Sequence, residues 1–397
     1  MLNNIAIIGQ GYVGLPLAIT AAEAGFNVVG VDVDLKKINA LNNGSSTTED
    51  IANSRLRQQL REGRYCATSD FKQIVNATII IICVPTPLSP GRKPDLTHLD
   101  FAVDQIARNL TPGSLVILES TVEPGTTRNI VLPALATKSG IDIGKIDLAF
   151  SPERIDPTNT KWNLVTTPKV VSGVTTSAKN RAVAFYSKFV NNLVECDSPE
   201  IAETAKLLEN SFRLVNISLI NEVSVFCEKL GIDISAVIST AATKPYGFMP
   251  FYPSVGVGGH CIPVDPIYLA NKARKIGAQT KLIELADKVN SEMPDYFVGR
   301  AEQKLGKLKG KKVLVVGVSY KPNISDVRET PVKALVAGLN QKGAYVSWHD
   351  DLVKEWNGEK SAALGSGYDL AIIATPHDYL DLAKLGDVPI LNTRGSI

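Results

Sequence analysis

Apolar residues in the first half of the chain come in short, β-branched runs at 5–8, 28–31, 79–84, 115–119, 147–150 and 170–174, separated by stretches with helical spacing. Runs that are apolar throughout belong to strands buried on both faces, and strands alternating with helices build a parallel sheet. The pattern predicts a doubly wound α/β domain over residues 1–196. Then the texture changes. Ser198 and Pro199 have the form of an N-cap and a first-turn proline, and Ile201, Ala205, Leu208, Phe212, Val215, Leu219, Val223, Phe226 and Leu230 follow at steps of three or four. That spacing predicts one helix of roughly 50 Å, longer than a small domain needs. It reads as a spine that joins two domains and packs against a partner subunit, so a homodimer is expected. Beyond the helical middle, 197–304, a basic linker at 307–312 leads to strand-like runs at 313–316, 345–348 and 370–374, with a helix at about 331–342. These predict a second unit over 305–397. The expected fold class is α/β, two Rossmann-like doubly wound domains joined by a long helical spine, which suits a chain of 397 residues.

Charge adds mainly exclusions. With 42 basic against 40 acidic side chains there is no excess to hold nucleic acid or an anionic membrane. The longest apolar run, 79–84, falls far short of the roughly 20 residues of a membrane helix. The amino terminus enters the first strand at once, with no room for a leader, so the cytoplasm is expected. Cys66, Cys83, Cys196, Cys227 and Cys261 show no CxxC spacing and no histidine at metal-ligand intervals, so neither zinc nor a disulfide framework is expected. The first four read as small buried side chains.

Gly9, Gly11 and Gly14 form GxGxxG directly after the first strand and at the head of an apolar helix, where pyrophosphate can approach a helix N-terminus. The second strand ends at Asp32, whose carboxylate can accept both ribose hydroxyls and would repel a 2′-phosphate, so NAD is expected rather than NADP. Lys37 either neutralises extra negative charge there or is simply solvated. Thr86 and Thr121 fall at carboxyl ends of strands, where α/β sheets bind ligands; each either lines the cofactor or merely ends its strand.

The stretch 256–266, Gly-Val-Gly-Gly-His-Cys-Ile-Pro-Val-Asp-Pro, carries the chemistry. Its glycines suit close approach of backbone to a ligand, and Asp265-Pro266 reads as the cap and first turn of a helix, whose partial charge favours thiolate at Cys261. A thiolate can hold an aldehyde as a thiohemiacetal, which a second hydride loss turns into a thioester open to water. Cys261 is either that nucleophile or a structural thiol in a Gly-rich turn. Lys206 and Asn210, four residues apart and away from the apolar stripe, form either a pair of oxyanion donors or a solvated face. Glu153, after the strand 147–150, and Asp265 can orient a water, though capping explains Asp265 equally well. In the second unit one glycine remains, in Val-Gly-Val-Ser-Tyr-Lys-Pro at 316–322, and Lys321 with Arg328 points to an anionic group other than a dinucleotide.

Gly9 to Gly14 with Asp32, Glu119-Ser120-Thr121, Ser151-Pro152-Glu153, Lys206 with Asn210, Gly258-Gly259-His260-Cys261, and Tyr320-Lys321-Pro322 with Arg328 together resemble, in kind and order, the UDP-glucose/GDP-mannose dehydrogenase family over essentially the whole chain. The resemblance implies an NAD domain, a helical dimerisation spine, a nucleotide-sugar domain and two NAD reduced per sugar. It implies Cys261 as nucleophile, Lys206, Asn210 and Thr121 at the reacting C6 group, and Glu153 and Asp265 near the hydrolytic water. Gly9, Gly11, Tyr12, Val13, Gly14, Asp32, Lys37, Thr86, Thr121 and Arg328 match positions that touch NAD. Pro250, Phe251, Tyr252, Ser254, Gly258 and Lys321, with Glu153, Lys206 and Asn210, match those that hold the UDP-sugar. The run 247–253 resembles the branch acting on N-acetylhexosamines. UDP-N-acetylglucosamine is then the expected substrate, ahead of UDP-N-acetylmannosamine and UDP-glucose, and the product a uronic acid for surface polysaccharide. Pro157 stands where glucose-specific members carry a glutamate, Thr158 where a glycine is common, and Asn392 where aspartate is usual. Two other classes share parts of the pattern: a two-electron hydroxy-acid dehydrogenase, which needs no thiol, and a nucleotide-sugar sensor, which binds without turnover.

Overall fold

A computed structural model describes residues 4–48, 50–155, 159 and 161–395; Pro157 and Thr158 lie outside the described residues. The chain forms two compact units, Met1–Leu208 and Glu209–Ile397.

The first unit is built on strands β1 (Asn4–Ile8), β2 (Asn27–Val31), β3 (Tyr65–Thr68), β4 (Ile79–Ile82), β5 (Leu115–Leu118), β6 (Asp147–Phe150), β7 (Lys169–Gly173) and β8 (Leu193–Glu195). They form one sheet in the order β3-β2-β1-β4-β5-β6-β7-β8, which reverses direction between β1 and β4. Helices α1 (Gly14–Glu23), α2 (Leu35–Asn42), α3 (Asn53–Arg61), α4 (Thr97–Asn109), α5 (Leu132–Ser139) and α6 (Thr176–Tyr186) pack on it. Successive residues of a strand face opposite ways, so Ile5 and Ile7 feed one core while Ala6 and Ile8 feed the other. Both faces are covered, which is why these strands are apolar throughout.

Two strands escaped the sequence pattern: β3 carries an exposed cysteine, Cys66, in place of the buried one expected, and β8 has only three residues. Cys196 is half-buried, whereas Cys83 and Cys227 are buried as expected. The sheet is also not wholly parallel. β7 runs antiparallel to β6, with Ala149 opposite Gly173 and Phe150 opposite Ser172. A parallel return needs a crossover, usually a helix, and no helix occurs between β6 and β7 among the described residues.

Helix α7 (Pro199–Leu230) is the expected spine, and the division between the units falls within it. Its apolar stripe faces outward: Leu208, Phe212, Leu219 and Phe226 are 60, 50, 52 and 60% exposed. Its inner face includes Ala202, Glu203, Lys206, Leu207, Ser211, Leu214, Ser218 and Asn221. Glu203 is fully buried and accepts hydrogen bonds from the Gly125 N–H at 2.5 Å and from the Thr127 N–H and hydroxyl at 2.9 and 2.6 Å.

The second unit contains α8 (Ile234–Ala242), α9 (Asp265–Lys275), α10 (Lys281–Leu305) and α11 (Val332–Gln341). Its sheet consists of β9 (Lys312–Val316), β10 (Tyr345–His349), β13 (Leu370–Ile373) and β14 (Ile390–Asn392), after β11 (Glu355–Trp356) and β12 (Glu359–Lys360) have paired as a short hairpin. The order β10-β9-β13-β14 is parallel throughout and reverses between β9 and β13. Among the described residues no helix is long and apolar enough to cross a membrane.

Truncating Glu203 strands three donors in a closed interior. Glu203→Ala should lower unfolding free energy by about 3 kcal/mol, seen in urea titration as a lower midpoint at unchanged slope; an unmoved midpoint would mean that water replaces the carboxylate.

Candidate functional site

In the first unit every sequence-predicted group from Gly9 to Glu153 stands at the carboxyl edge of the sheet. The turn after β1 is cut to fit. Gly9 has φ +92°, and a Cβ there would lie 2.7 Å from the Cys83 carbonyl oxygen. A Cβ on Gly14 would lie 1.8 Å from the Gly9 carbonyl oxygen, whereas one on Gly11 would meet nothing within 4 Å. Two glycines are thus required by the protein itself, and the space over the third is open to a phosphate at the head of α1. Tyr12 and Val13 are half-buried, and no side chain caps α1.

Asp32, 8% exposed, accepts from the Gln10 N–H at 2.8 Å, the Asp34 N–H at 3.0 Å and the Lys37 ammonium at 2.8 Å. Burial alone would raise its pKa, but Lys37 and the two backbone donors outweigh that and hold it below the usual carboxylate range. Lys37 is therefore the counter-ion of Asp32 and is not the solvated lysine that was one expectation. Gln10, absent from the expected site, is fully buried and is held from below by the Tyr65 hydroxyl at 2.9 Å. Thr86 and Thr121 meet: the Thr86 hydroxyl donates to the Thr121 carbonyl at 2.8 Å, and Ser120 ties the same loops by donating to the Val84 carbonyl at 2.7 Å.

Glu153 folds back on its own turn. One oxygen accepts from the N–H groups of Arg154 and Ile155, both at 2.6 Å, and the other lies 3.7 Å from the Lys169 ammonium. Lys169 also donates to Glu119 at 3.2 Å, and Glu119 accepts from the Tyr186 hydroxyl. Sequence reasoning quoted Glu119 without a role and missed Lys169, whose one signal was a lysine heading an otherwise apolar strand. Lys206 is buried on α7.

In the second unit, Asn210 and Asp265 come together, the Asn210 amide donating to the Asp265 carboxylate. Asp265 is 3% exposed and is the first residue of α9, with Val264 in the cap position that the sequence had suggested for Asp265. The backbone N–H groups of Asp265 and Val264 donate to the Cys261 carbonyl at 2.8 and 3.2 Å. The Cys261 side chain is exposed. The alternative of a solvated Lys/Asn face does not hold, since Lys206 is buried and Asn210 half-buried.

The glycines before Cys261 let other parts of the protein approach closely. A Cβ on Gly258 or Gly259 would lie 2.7 or 2.8 Å from Tyr320, and the Gly259 N–H donates to the Arg328 carbonyl at 3.1 Å. The cysteine loop is thereby laid against the segment carrying Lys321 and Arg328. The Arg328 guanidinium pairs with Asp326 at 2.6 Å. Burial, with the nearby Arg328 charge, pushes His260 below the usual imidazole range and keeps it neutral at pH 7. Ser254 is tied to Asn221 on α7 at 3.0 Å, Phe251 packs edge-on to Phe212, and Pro250 and Tyr252 are exposed.

The turn after β9 repeats the one after β1. The Gly317 N–H reaches the His349 carbonyl and the Val318 N–H reaches Asp350, as Gly9 reaches Val31 and Gln10 reaches Asp32. Asp350, however, is 1% exposed and also holds His377 at 3.0 Å, so no ribose can use it.

The chain matches the UDP-glucose/GDP-mannose dehydrogenase family in its NAD binding domain over residues 3–190, its central domain over 200–292 and its UDP binding domain over 314–393. It is 35% identical to a UDP-N-acetyl-D-glucosamine 6-dehydrogenase of Salmonella typhi, covering 94% of this chain and 90% of that one. It is 34% identical to a UDP-N-acetyl-D-mannosamine dehydrogenase of Pyrococcus horikoshii, over 94% and 89%. The solved structure of a UDP-D-ManNAc dehydrogenase from Pyrococcus horikoshii superimposes with a TM-score of 0.92 at 31% identity, over 98% and 95% of the two chains.

The glycine turn separates two effects. Gly14→Ala should destabilise the protein without cofactor by ~3 kcal/mol through overpacking, whereas Gly11→Ala should leave its melting temperature unchanged and weaken NAD binding about tenfold or more. Melting curves with and without NAD read both; an equal loss of intrinsic stability in the two variants would remove the phosphate reading of this turn.

Proposed function

The chain belongs to the UDP-glucose/GDP-mannose dehydrogenase family, and on that premise we propose that this NAD-dependent oxidoreductase converts the C6 alcohol of a UDP-N-acetylhexosamine into the carboxylate through a thioester on Cys261. The observation that carries the reading is the connected line in the second unit: Asn210 on α7 holds the Asp265 carboxylate, and the Asp265 N–H holds the carbonyl of an exposed Cys261. Neither a two-electron dehydrogenase nor a sensor has use for such a thiol.

The residues divide the work by charge. The Lys206 ammonium and the Asn210 amide stabilise the oxyanion formed as the C6 hydroxyl loses its proton. The Cys261 thiolate adds to the aldehyde carbon, forming the C–S bond, and the same donors hold the new oxyanion. After the second oxidation, Glu153 and Asp265 orient water and accept its proton; its oxygen bonds to the acyl carbon, the C–S bond breaks and the thiolate is restored. NAD, held by the glycine turn, Asp32 and Lys37 with Tyr12, Val13, Thr86, Thr121 and Arg328, supplies the acceptor for both hydrides, so one alcohol and one water become one carboxylate, two NADH and three protons. Pro250, Phe251, Tyr252, Ser254, Gly258 and Lys321 hold the UDP-sugar.

UDP-N-acetylglucosamine is our first choice of substrate, and UDP-N-acetylmannosamine has equal support, since relatives named for each match nearly the whole chain at 35 and 34% identity. We also infer a homodimer along the outward stripe of α7, three domains at 1–196, 197–304 and 305–397, and action in the cytoplasm, where nucleotide sugars are precursors for surface polysaccharide.

Run to completion, the reaction should yield two NADH per UDP-N-acetylhexosamine consumed, with UDP-N-acetylglucosamine and UDP-N-acetylmannosamine compared side by side; one NADH per sugar would remove the thioester route. Cys261→Ala should lower kcat by about three orders of magnitude or more while NAD binding persists. Light scattering should give twice the chain mass for the wild type and one chain mass for Phe212→Glu with Leu219→Glu; a monomeric wild type would refute the dimer.

A further inference from the structure

The first unit buries two charged groups that the reaction scheme leaves unused, Lys169 and Glu119, beside one that it uses, Glu153. Lys169 and Glu119 are 4 and 0% exposed in their side chains, and Glu153 is 14% exposed. Interiors seldom keep three ionisable groups for stability, because desolvation offsets most of the Coulombic gain. Their arrangement follows from the one antiparallel pairing in the sheet. With Phe150 opposite Ser172, three residues onward along β6 and three back along β7 set Glu153 against Lys169. The Ser151 hydroxyl donates to the Val170 carbonyl at 2.7 Å, which ties the two segments together beyond the ladder.

We propose that Lys169 is a positioning residue for thioester hydrolysis, an ammonium anchored from behind by Glu119 that holds the Glu153 carboxylate in place and aimed. The inference rests on the reading of Glu153 as the group that orients water. Glu153 has little freedom of its own: one oxygen is spent on two backbone N–H groups, and the other, enclosed and without a hydrogen-bond partner, faces the Lys169 charge. The remaining groups around the ammonium are the Tyr186 ring from α6, centred 4.9 Å from it, with its hydroxyl on Glu119, and the Cys83 thiol at the end of β4. Burial works against the Lys169 charge, but Glu119 and Glu153 more than compensate and its pKa is raised. Burial likewise raises Glu119, against the pull of Lys169. Tyr186 and Cys83 are both pushed upward by burial, which keeps them neutral.

The test is a pH profile of turnover combined with intact-mass detection of the acyl-enzyme, on the full-length protein with NAD and UDP-sugar. Lys169→Met should slow hydrolysis about tenfold or more, with the acyl-enzyme accumulating and KM for both substrates little changed. The acid limb of its profile should move up by about one pH unit, because an ionised carboxylate has lost its neighbouring cation. Lys169→Arg, which keeps the charge, should restore turnover and profile. Glu119→Gln leaves the whole ammonium to Glu153 and should move the limb the opposite way, which decides the matter even if Lys169→Met fails to fold. Lower activity with unmoved limbs in Lys169→Met and Glu119→Gln, or acyl-enzyme in Glu153→Gln but not in Lys169→Met, would overturn the positioning role alone. No acyl-enzyme in Glu153→Gln would remove the premise about Glu153 itself.

Discussion

Parallel strands all point one way, and that constraint governs the first unit. Every loop that follows a strand from β1 to β6 emerges at one edge, so residues as far apart in sequence as Gly9 and Glu153 share it without any special contact to gather them. The edge then has to be made stiff, because loops leave backbone groups unpaired. Thr86 and Ser120 lace the loops after β4 and β5 to one another, and the buried Glu203 binds the segment at 125–127 to α7. Burial raises the pKa of the Glu203 carboxyl, and the three donors that converge on it pull the other way. Glu203 is also one helical turn from Lys206, so the element that braces the cofactor loop also presents the oxyanion donor of the proposed reaction.

The two Rossmann-like turns show how one backbone design serves two purposes. Both start with a glycine whose N–H closes on the neighbouring strand, and both aim the next N–H at an aspartate ending that strand. Asp32 keeps an outward side, balanced by the partly exposed Lys37. Asp350 is sealed: the Asn323 N–H donates to His377 Nδ1, so the ring proton sits on Nε2 and is donated to Asp350. The second aspartate thus fastens the loop carrying Lys321, while the first remains available to a ligand. Identical geometry at the turn carries no binding function until the far side of the carboxylate is considered.

This bears on what could be read from sequence. Apolar runs and glycine spacing depend on local chemistry, and they located six strands of the first sheet, the long helix and the cofactor turn. The direction of β7 and the short β3 and β8 depend on pairing between distant segments, which periodicity does not record. The apolar stripe of α7 was legible, but what its other side meets was not: the interior takes Lys206 and also Glu203, Ser218 and Asn221, which meet the segment 125–127, the Ala286 carbonyl and Asn290. Cys261, Asn210 and Asp265 could be nominated by residue type; that Asp265 holds Asn210 while Val264 takes the cap position required coordinates. Buried networks such as Gln10 with Tyr65 and Lys169 with Glu119 were silent because a polar residue in an apolar run has no marker for what it will meet.

The reversal of β7 has a further consequence for how the sequence can drift. Side chains alternate across a strand, so Lys169 faces Glu153 and Glu119 only while the strand keeps its register against β6. Had β7 run parallel, its first residue would lie at the opposite edge, about 15 Å away at the usual rise per residue. A slip of one residue in the pairing of β6 and β7 would therefore turn the ammonium to the other face of the sheet, leaving a lysine in one hydrophobic core and two uncompensated carboxylates in the other. Drift in the sequence here is limited by register as well as by the chemistry of Glu153 itself.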